Sequence, residues 1–126
     1  MKLNMFSGTL YVKVHKNAIT VRHVEKNEEA TLAATRPFTT DRLLVGQFSA
    51  AQALLKEAMD RTYRARRLSP APIVVIQPMA MSEGGLSEVE ERVLHELATA
   101  AGARKAIVWV GSELSDEEVL AKAESA

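Results

Sequence analysis

Ile73-Val74-Val75-Ile76 is a continuous β-branched run preceded by Pro70 and Pro72. A strand this apolar must be covered on both faces, and such strands usually run parallel to their neighbours. Working back along the chain, Leu54, Leu55, Ala58, Met59, Thr62 and Tyr63 recur at helical spacing. Ser49 is a good N-cap for that helix, because its hydroxyl can accept a free amide one turn in. The prolines close it. Working forward, Ser87 with Glu90 three residues on is a capping-box pair. The helix behind it carries Val89, Val93, Leu94, Leu97 and Ala101 on one face and ends at Gly102. Lys105 to Val110 predicts another strand, and Ser115 with Glu118 opens a last short helix from Asp116 to about Glu124.

The N-terminal third has a different period. Leu10, Val12 and Val14 alternate with Tyr11, Lys13 and His15, as in a half-buried strand. Lys16-Asn17 suits a tight turn, since Asn tolerates positive φ. Ile19, Val21 and Val24 mark a second strand, and Ala30 to Ala34 a third after the polar break Lys26-Asn27-Glu28. Pro37 then interrupts regular structure. The segment to Gly46 reads as a connection with a short extended piece, Leu43-Leu44-Val45. The chain therefore predicts an antiparallel meander followed by helix, strand, helix, strand, helix: βββαβαβα.

With 126 residues, 47% of them hydrophobic, the chain suits one domain over residues 1–126. Sixteen basic and sixteen acidic side chains cancel, so no global field draws it to nucleic acid or anionic membrane. The absence of cysteine leaves no disulfide framework and no thiolate metal site, which fits a reducing compartment. Met1 to Gly8 lacks the apolar core of a secretory signal, and no apolar run approaches the ~20 residues of a spanning helix. A soluble, cytoplasmic protein is expected.

From Arg36 to Trp109 the landmarks resemble the first subdomain (IA) of MreB, the bacterial actin of rod-shape determination. Arg36-Pro37-Phe38-Thr39-Thr40-Asp41-Arg42-Leu43-Leu44-Val45-Gly46-Gln47-Phe48 is similar to that family's entry into its first long helix if two residues are inserted. Ile73 to Ile76, Ser87-Glu88-Val89-Glu90 and Ala101-Gly102-Ala103-Arg104 resemble its buried strand, helix start and turn, in the same order. The resemblance implies an actin-like, ribonuclease H-like α/β domain: a mixed five-stranded sheet in the order 3-2-1-4-5, with helices on both faces.

The family's nucleotide signature is absent. Actin-like ATPases end their first strand with Asp-x-Gly, the Asp organising metal and water and the Gly letting backbone amides approach phosphate. Aligned without gaps, Lys13 stands at the Asp and His15 at the Gly. A lysine cannot ligate a cation, and a histidine fills the space of the phosphate. The family's last strand leads to a carboxylate that helps position the attacking water. Here Gly111-Ser112-Glu113-Leu114-Ser115 takes that place, with Glu113 one position out of register. The second phosphate loop and adenosine pocket belong to the other half of an actin, which these residues do not supply. The expectation is no catalytic residue, no cofactor, no metal and no ATP hydrolysis by this chain alone.

Other candidate residues compete with plain structural explanations. His15, His23 and His95 are scattered without an i, i+4 pair, which favours ordinary histidines over a metal site. Glu83, Glu88, Glu90 and Glu91 suit the first turn of a helix and its dipole better than a catalytic pair. Glu83-Gly84-Gly85 lacks the Gly-Lys-Ser/Thr tail of a phosphate loop and reads as a turn. Trp109 is expected in the core, and Met79 and Met81 as core filler or an adaptable surface. Arg61, Arg64, Arg66 and Arg67 form the densest charge cluster. At helical spacing, Arg61, Arg64 and Arg67 would share a face near a helix C-terminus. They are the candidate partner-binding residues.

The leading expectation is a non-catalytic actin-like domain that works by protein contact, linked to MreB-type cell-shape determination, with homodimerisation favoured by faces left uncovered. Competing readings are a split or degenerate actin-like ATPase that needs a partner half, and a small-ligand or nucleic-acid module using the Arg61–Arg67 cluster. Nucleic acid is the least favoured, because no recognition module or aromatic platform accompanies the arginines.

Overall fold

The computed structural model describes residues 8–63 and 70–126. The elements are β1 (Thr9–His15), β2 (Ala18–His23), β3 (Glu28–Ala33), α1 (Phe48–Thr62), β4 (Ile73–Pro78), α2 (Glu88–Ala100), β5 (Lys105–Val108) and α3 (Asp116–Ser125). They build one five-stranded mixed sheet in the order β3-β2-β1-β4-β5. β1 and β2 are antiparallel, with Leu10 opposite His23, and turn at Asn17, whose φ of 55° is the left-handed geometry expected of it. β2 and β3 are also antiparallel. β1, β4 and β5 are mutually parallel neighbours, with Leu10 opposite Val74 and Val74 opposite Ala106. The order predicted from the chain is the order observed.

Alternation along the central strands decides which helix covers which face. Leu10, Val12, Val14, Val74 and Ile76 join the main core with Leu55, Ala58, Leu94 and Leu97 of α1 and α2. Tyr11 and Val75 point the other way and pack with Val119 of α3 in a second cluster, edged by Ile107 and Trp109. Helices therefore lie on both faces. β4 is buried at every residue, as its β-branched composition requires.

Local chemistry explains several departures from expectation. α1 begins at Phe48, and its N-cap Gln47 makes no side-chain cap bond, so Ser49 is an exposed first-turn residue rather than the cap. The entering backbone is held instead by the Phe38 carbonyl, which accepts from the amides of Gly46 (2.8 Å) and Gln47 (2.9 Å). Leu43-Leu44-Val45 bends rather than extends. Thr40 accepts the Leu43 amide (3.0 Å) and Thr39 donates to the Leu44 carbonyl (2.7 Å), side-chain bonds that compete with extended pairing. β5 ends at Val108 rather than Val110, leaving Trp109 half-buried against the second cluster. Val89 is 71% exposed rather than on the buried face of α2. Both capping boxes form as predicted: Ser87 with Glu90, and Ser115 with Glu118. Among the described residues, no helix is long and apolar enough to cross a membrane.

Candidate functional site

In open α/β sheets, ligands sit outside the carboxyl ends of the parallel strands. Here that end of β1 and β4 is built over by the chain itself. Tyr11, 2% exposed, donates its hydroxyl to Oε1 of Gln77 on the adjacent strand and accepts the Leu114 amide at 3.0 Å. Gln77, 1% exposed, donates in turn to the Gly111 carbonyl at 2.7 Å. The Trp109 indole N–H closes the same loop on the Ser112 carbonyl at 2.8 Å. Two buried polar side chains are thereby satisfied by each other and by the loop over residues 109–114, the condition under which polar burial is tolerated. Gly111 is where the close approach is made, because a Cβ there would lie 2.6 Å from the Trp109 ring. Lys122 of α3 sits 3.9 Å over that ring, a cation–π contact.

Lys13 and His15, the residues aligned with the family's phosphate-binding signature, lie on the same side of β1 as Tyr11. The Lys13 ammonium lies 5.5 Å over the Tyr11 ring and bridges to Glu113 at 2.8 Å. That bridge joins β1 to the loop after β5. The hydrogen bond from Lys13 holds the Glu113 carboxyl below its ordinary range. Burial, reinforced by the Lys13 charge, lowers the pKa of His15. A neutral His15 can complete a chain with Thr20 (3.0 Å) and Thr31 (2.9 Å) running across the sheet to β3. The elements thus bring Lys13, His15 and Glu113 together, as an ion pair with an exposed carboxylate beside a threonine-linked histidine.

The remaining candidates scatter. His23 is buried, with Nδ1 2.9 Å from the Thr62 carbonyl and its ring edge-on to Tyr63; His95 is exposed on α2. Among the described residues, no group of three His, Asp or Glu side chains could hold a metal ion. Glu88, Glu90 and Glu91 lie in the first turn of α2, where Glu90 completes the capping box. Gly84 and Gly85 take positive φ in the preceding turn.

Arg61 is exposed and pairs with Glu57 at 3.0 Å on its own helix. Arg64, Arg66 and Arg67 lie outside the described residues. α1 ends at Thr62, and Tyr63 beyond it is extended (φ −142°, ψ 108°). There its hydroxyl donates to the Pro70 carbonyl at 2.6 Å and its ring meets His23.

Sequence reasoning missed a groove on the opposite face of the sheet, where β4 ends. Leu43, Val45, Met81, Leu86, Val89 and Val93 line it, with Glu90 at its edge. Its cavity is about 50 Å³, far below the ~300–1,000 Å³ of ordinary small-molecule sites. A shallower concavity continues it past Phe48, Glu88, Arg92 and Glu96. Leu43 and Val89, the two residues assigned to other roles from their spacing, are 42% and 71% exposed here.

No family model matches the chain. Over 99 residues it is 35% identical to the uncharacterized protein YjaA of Escherichia coli (strain K12), covering 75% of this chain and 76% of that protein. The chain belongs to the YjaA family.

Proposed function

We propose that this member of the YjaA family is a non-catalytic, actin-like domain that acts by protein contact, in the setting of MreB-type cell-shape determination. The sheet order and the MreB-like landmarks from Arg36 to Trp109 support the actin-like reading. One observation carries the non-catalytic part. The carboxyl end of β1 and β4, where an actin-like ATPase would cradle phosphate, is filled by the loop over 109–114 bonded to Tyr11 and Gln77 and by the Lys13–Glu113 pair. A phosphate placed there would have to displace a buried hydrogen-bond network. It would gain only one cation already neutralised by Glu113. No cofactor or metal is part of this reading.

The test of the contact itself is co-sedimentation with polymerised MreB from the same host. The expected result is that the purified chain pellets with the filaments and stays in the supernatant without them. A chain that remains in the supernatant at saturating filament would overturn the MreB assignment.

A further inference from the structure

The open sheet has two edges, β3 and β5, and they are not equally guarded. β5 is four residues long and starts on Lys105, whose ammonium reaches the Ala126 carbonyl at 2.5 Å. Shortness and lysine are common protections of an edge strand. β3 runs for six residues, Glu28-Glu29-Ala30-Thr31-Leu32-Ala33, with neither proline nor lysine. Only its first two residues carry charge.

The phase of the ladder shows which backbone groups of β3 are left over. The Val24 amide bonds to the Thr9 carbonyl at 3.0 Å and the Ala34 amide to the Asn17 carbonyl at 2.9 Å. Hydrogen-bonded positions alternate along an antiparallel pair. With Ala18 opposite Ala33 and His23 opposite Glu28, the N–H and C=O groups of Glu28, Ala30 and Leu32 therefore serve β2. Those of Glu29, Thr31 and Ala33 point out of the sheet, where no further strand lies among the described residues. Side chains leave that edge open. Thr31 and Ala33 are exposed on one face, while Ala30 and Leu32 are half-buried on the other, Leu32 against the main core.

Going beyond the function proposed above, and not resting on it, we infer that β3 pairs antiparallel with β3 of a second copy. The two sheets then join about a two-fold axis at Thr31, and the outward groups of Glu29, Thr31 and Ala33 exchange about six ladder bonds. Charge sets the direction. Glu28 and Glu29 stand at the start of β3, and the exposed Arg36 lies just past its end. Antiparallel pairing brings each acidic start toward the other copy's Arg36, whereas parallel pairing sets acid beside acid. On the core side Leu32 meets Ala30 across the joint and extends the apolar layer. The shared patch is small. Stable interfaces bury about 800 Å² per partner, more than a six-residue edge of small side chains supplies, so the pair is reversible with a Kd of about 10–100 μM.

Sedimentation velocity and cross-linking of the full chain test this. The wild type should pass from monomer to dimer between about 5 and about 500 μM and go no further, because a two-fold contact closes on itself. Thr31→Lys and Thr31→Glu each set like charges face to face on the axis and should stay monomeric over that range. Mixed one to one, they should recover the dimer. The chain has no cysteine, so a single introduced thiol reports the register. Hydrogen-bonded partners lie ~5.5 Å apart at Cα, within disulfide reach, so Thr31→Cys should link into a dimer on oxidation. Ala33→Cys should stay unlinked, since its counterpart is four residues along the ladder, about 13 Å away. A wild type that stays monomeric, single Thr31 variants that dimerise like wild type, a mixture that stays monomeric, or linking by Ala33→Cys in place of Thr31→Cys would each overturn the inference. A monomeric wild type that still pellets with MreB filaments would overturn the strand pairing alone and leave the proposed function standing.

Discussion

Tyr11 shows how one hydroxyl can decide what an end of a sheet is able to bind. It links β1 to Gln77 on β4 and to the amide of Leu114, so the loop after β5 is tied to both central strands. Removing it in Tyr11→Phe leaves a nearly buried Gln77 acceptor and a loop amide without that partner. The expected cost is about 1–3 kcal/mol, read from the denaturant midpoint. Loosening of the loop should also change the emission of Trp109. Gly111→Ala should do so by another route, since its Cβ would meet the indole ring at 2.6 Å. Titration at this end acts in one direction. His15 has a folded pKa below 6.5, so the folded state binds fewer protons than the unfolded chain as pH drops past that value. Glu113 and Asp116, held down by Lys13 and Arg22, behave in the same way below 4.5 and 3.8. Each contribution is complete above the unfolded pKa and lost as pH falls through the folded one. The urea midpoint should therefore decline in two stages, below about pH 6.5 and again below about pH 4.5. His15→Gln should flatten the first stage, and Lys13→Met should weaken both, leaving the Asp116 part of the second; a midpoint that rises on acidification would contradict both assignments.

The elements separate what a residue pattern can reveal from what it cannot. Capping boxes are local, and both were readable from Ser87/Glu90 and Ser115/Glu118 alone. Ser87→Ala and Ser115→Ala should each cost about 1 kcal/mol, the usual worth of such a cap. Ser49 looked equally suitable, but the carbonyl of Phe38, far back in the connection, sets where α1 starts. Ser49→Ala should accordingly change stability by no more than ~0.5 kcal/mol, as an exposed helical substitution does. Thermal or urea unfolding of the three variants distinguishes the two assignments. Strand period fixed which residues of β1 alternate but not whether their outer face is wet. That depended on α3 crossing over Tyr11 and Val75, a contact that for Tyr11 spans about a hundred positions of the chain. For the same reason Gln77 went unnoticed inside an apolar run, and Val89 was taken as core because helical spacing cannot say how wide the covered stripe is. α1 ends at Thr62, where Tyr63 bonds Pro70 and packs on His23, and Arg64, Arg66 and Arg67 lie outside the described residues.

At the scale of the whole molecule, sheet order was readable from the resemblance to MreB subdomain IA together with the element order, since a meander, a two-sided buried strand and a second βα unit leave few ways to close one core. The candidate site was only half readable. Lys13, His15 and Glu113 were picked by their departure from a phosphate-binding pattern, and they do lie at one end of the sheet, two of them in an ion pair. The groove escaped notice because its walls come from the connection at Leu43, the turn at Met81 and Leu86, and the outer side of α2. Such a surface has no period in the sequence. The central claim is that this end of the sheet is filled by protein and the chain works by contact rather than by nucleotide chemistry. Isothermal calorimetry of the purified chain with ATP and magnesium tests it most directly. No binding heat above dilution is expected at millimolar nucleotide. A saturable heat at that concentration, weakened by Glu113→Ala or accompanied by ATP turnover, would contradict it.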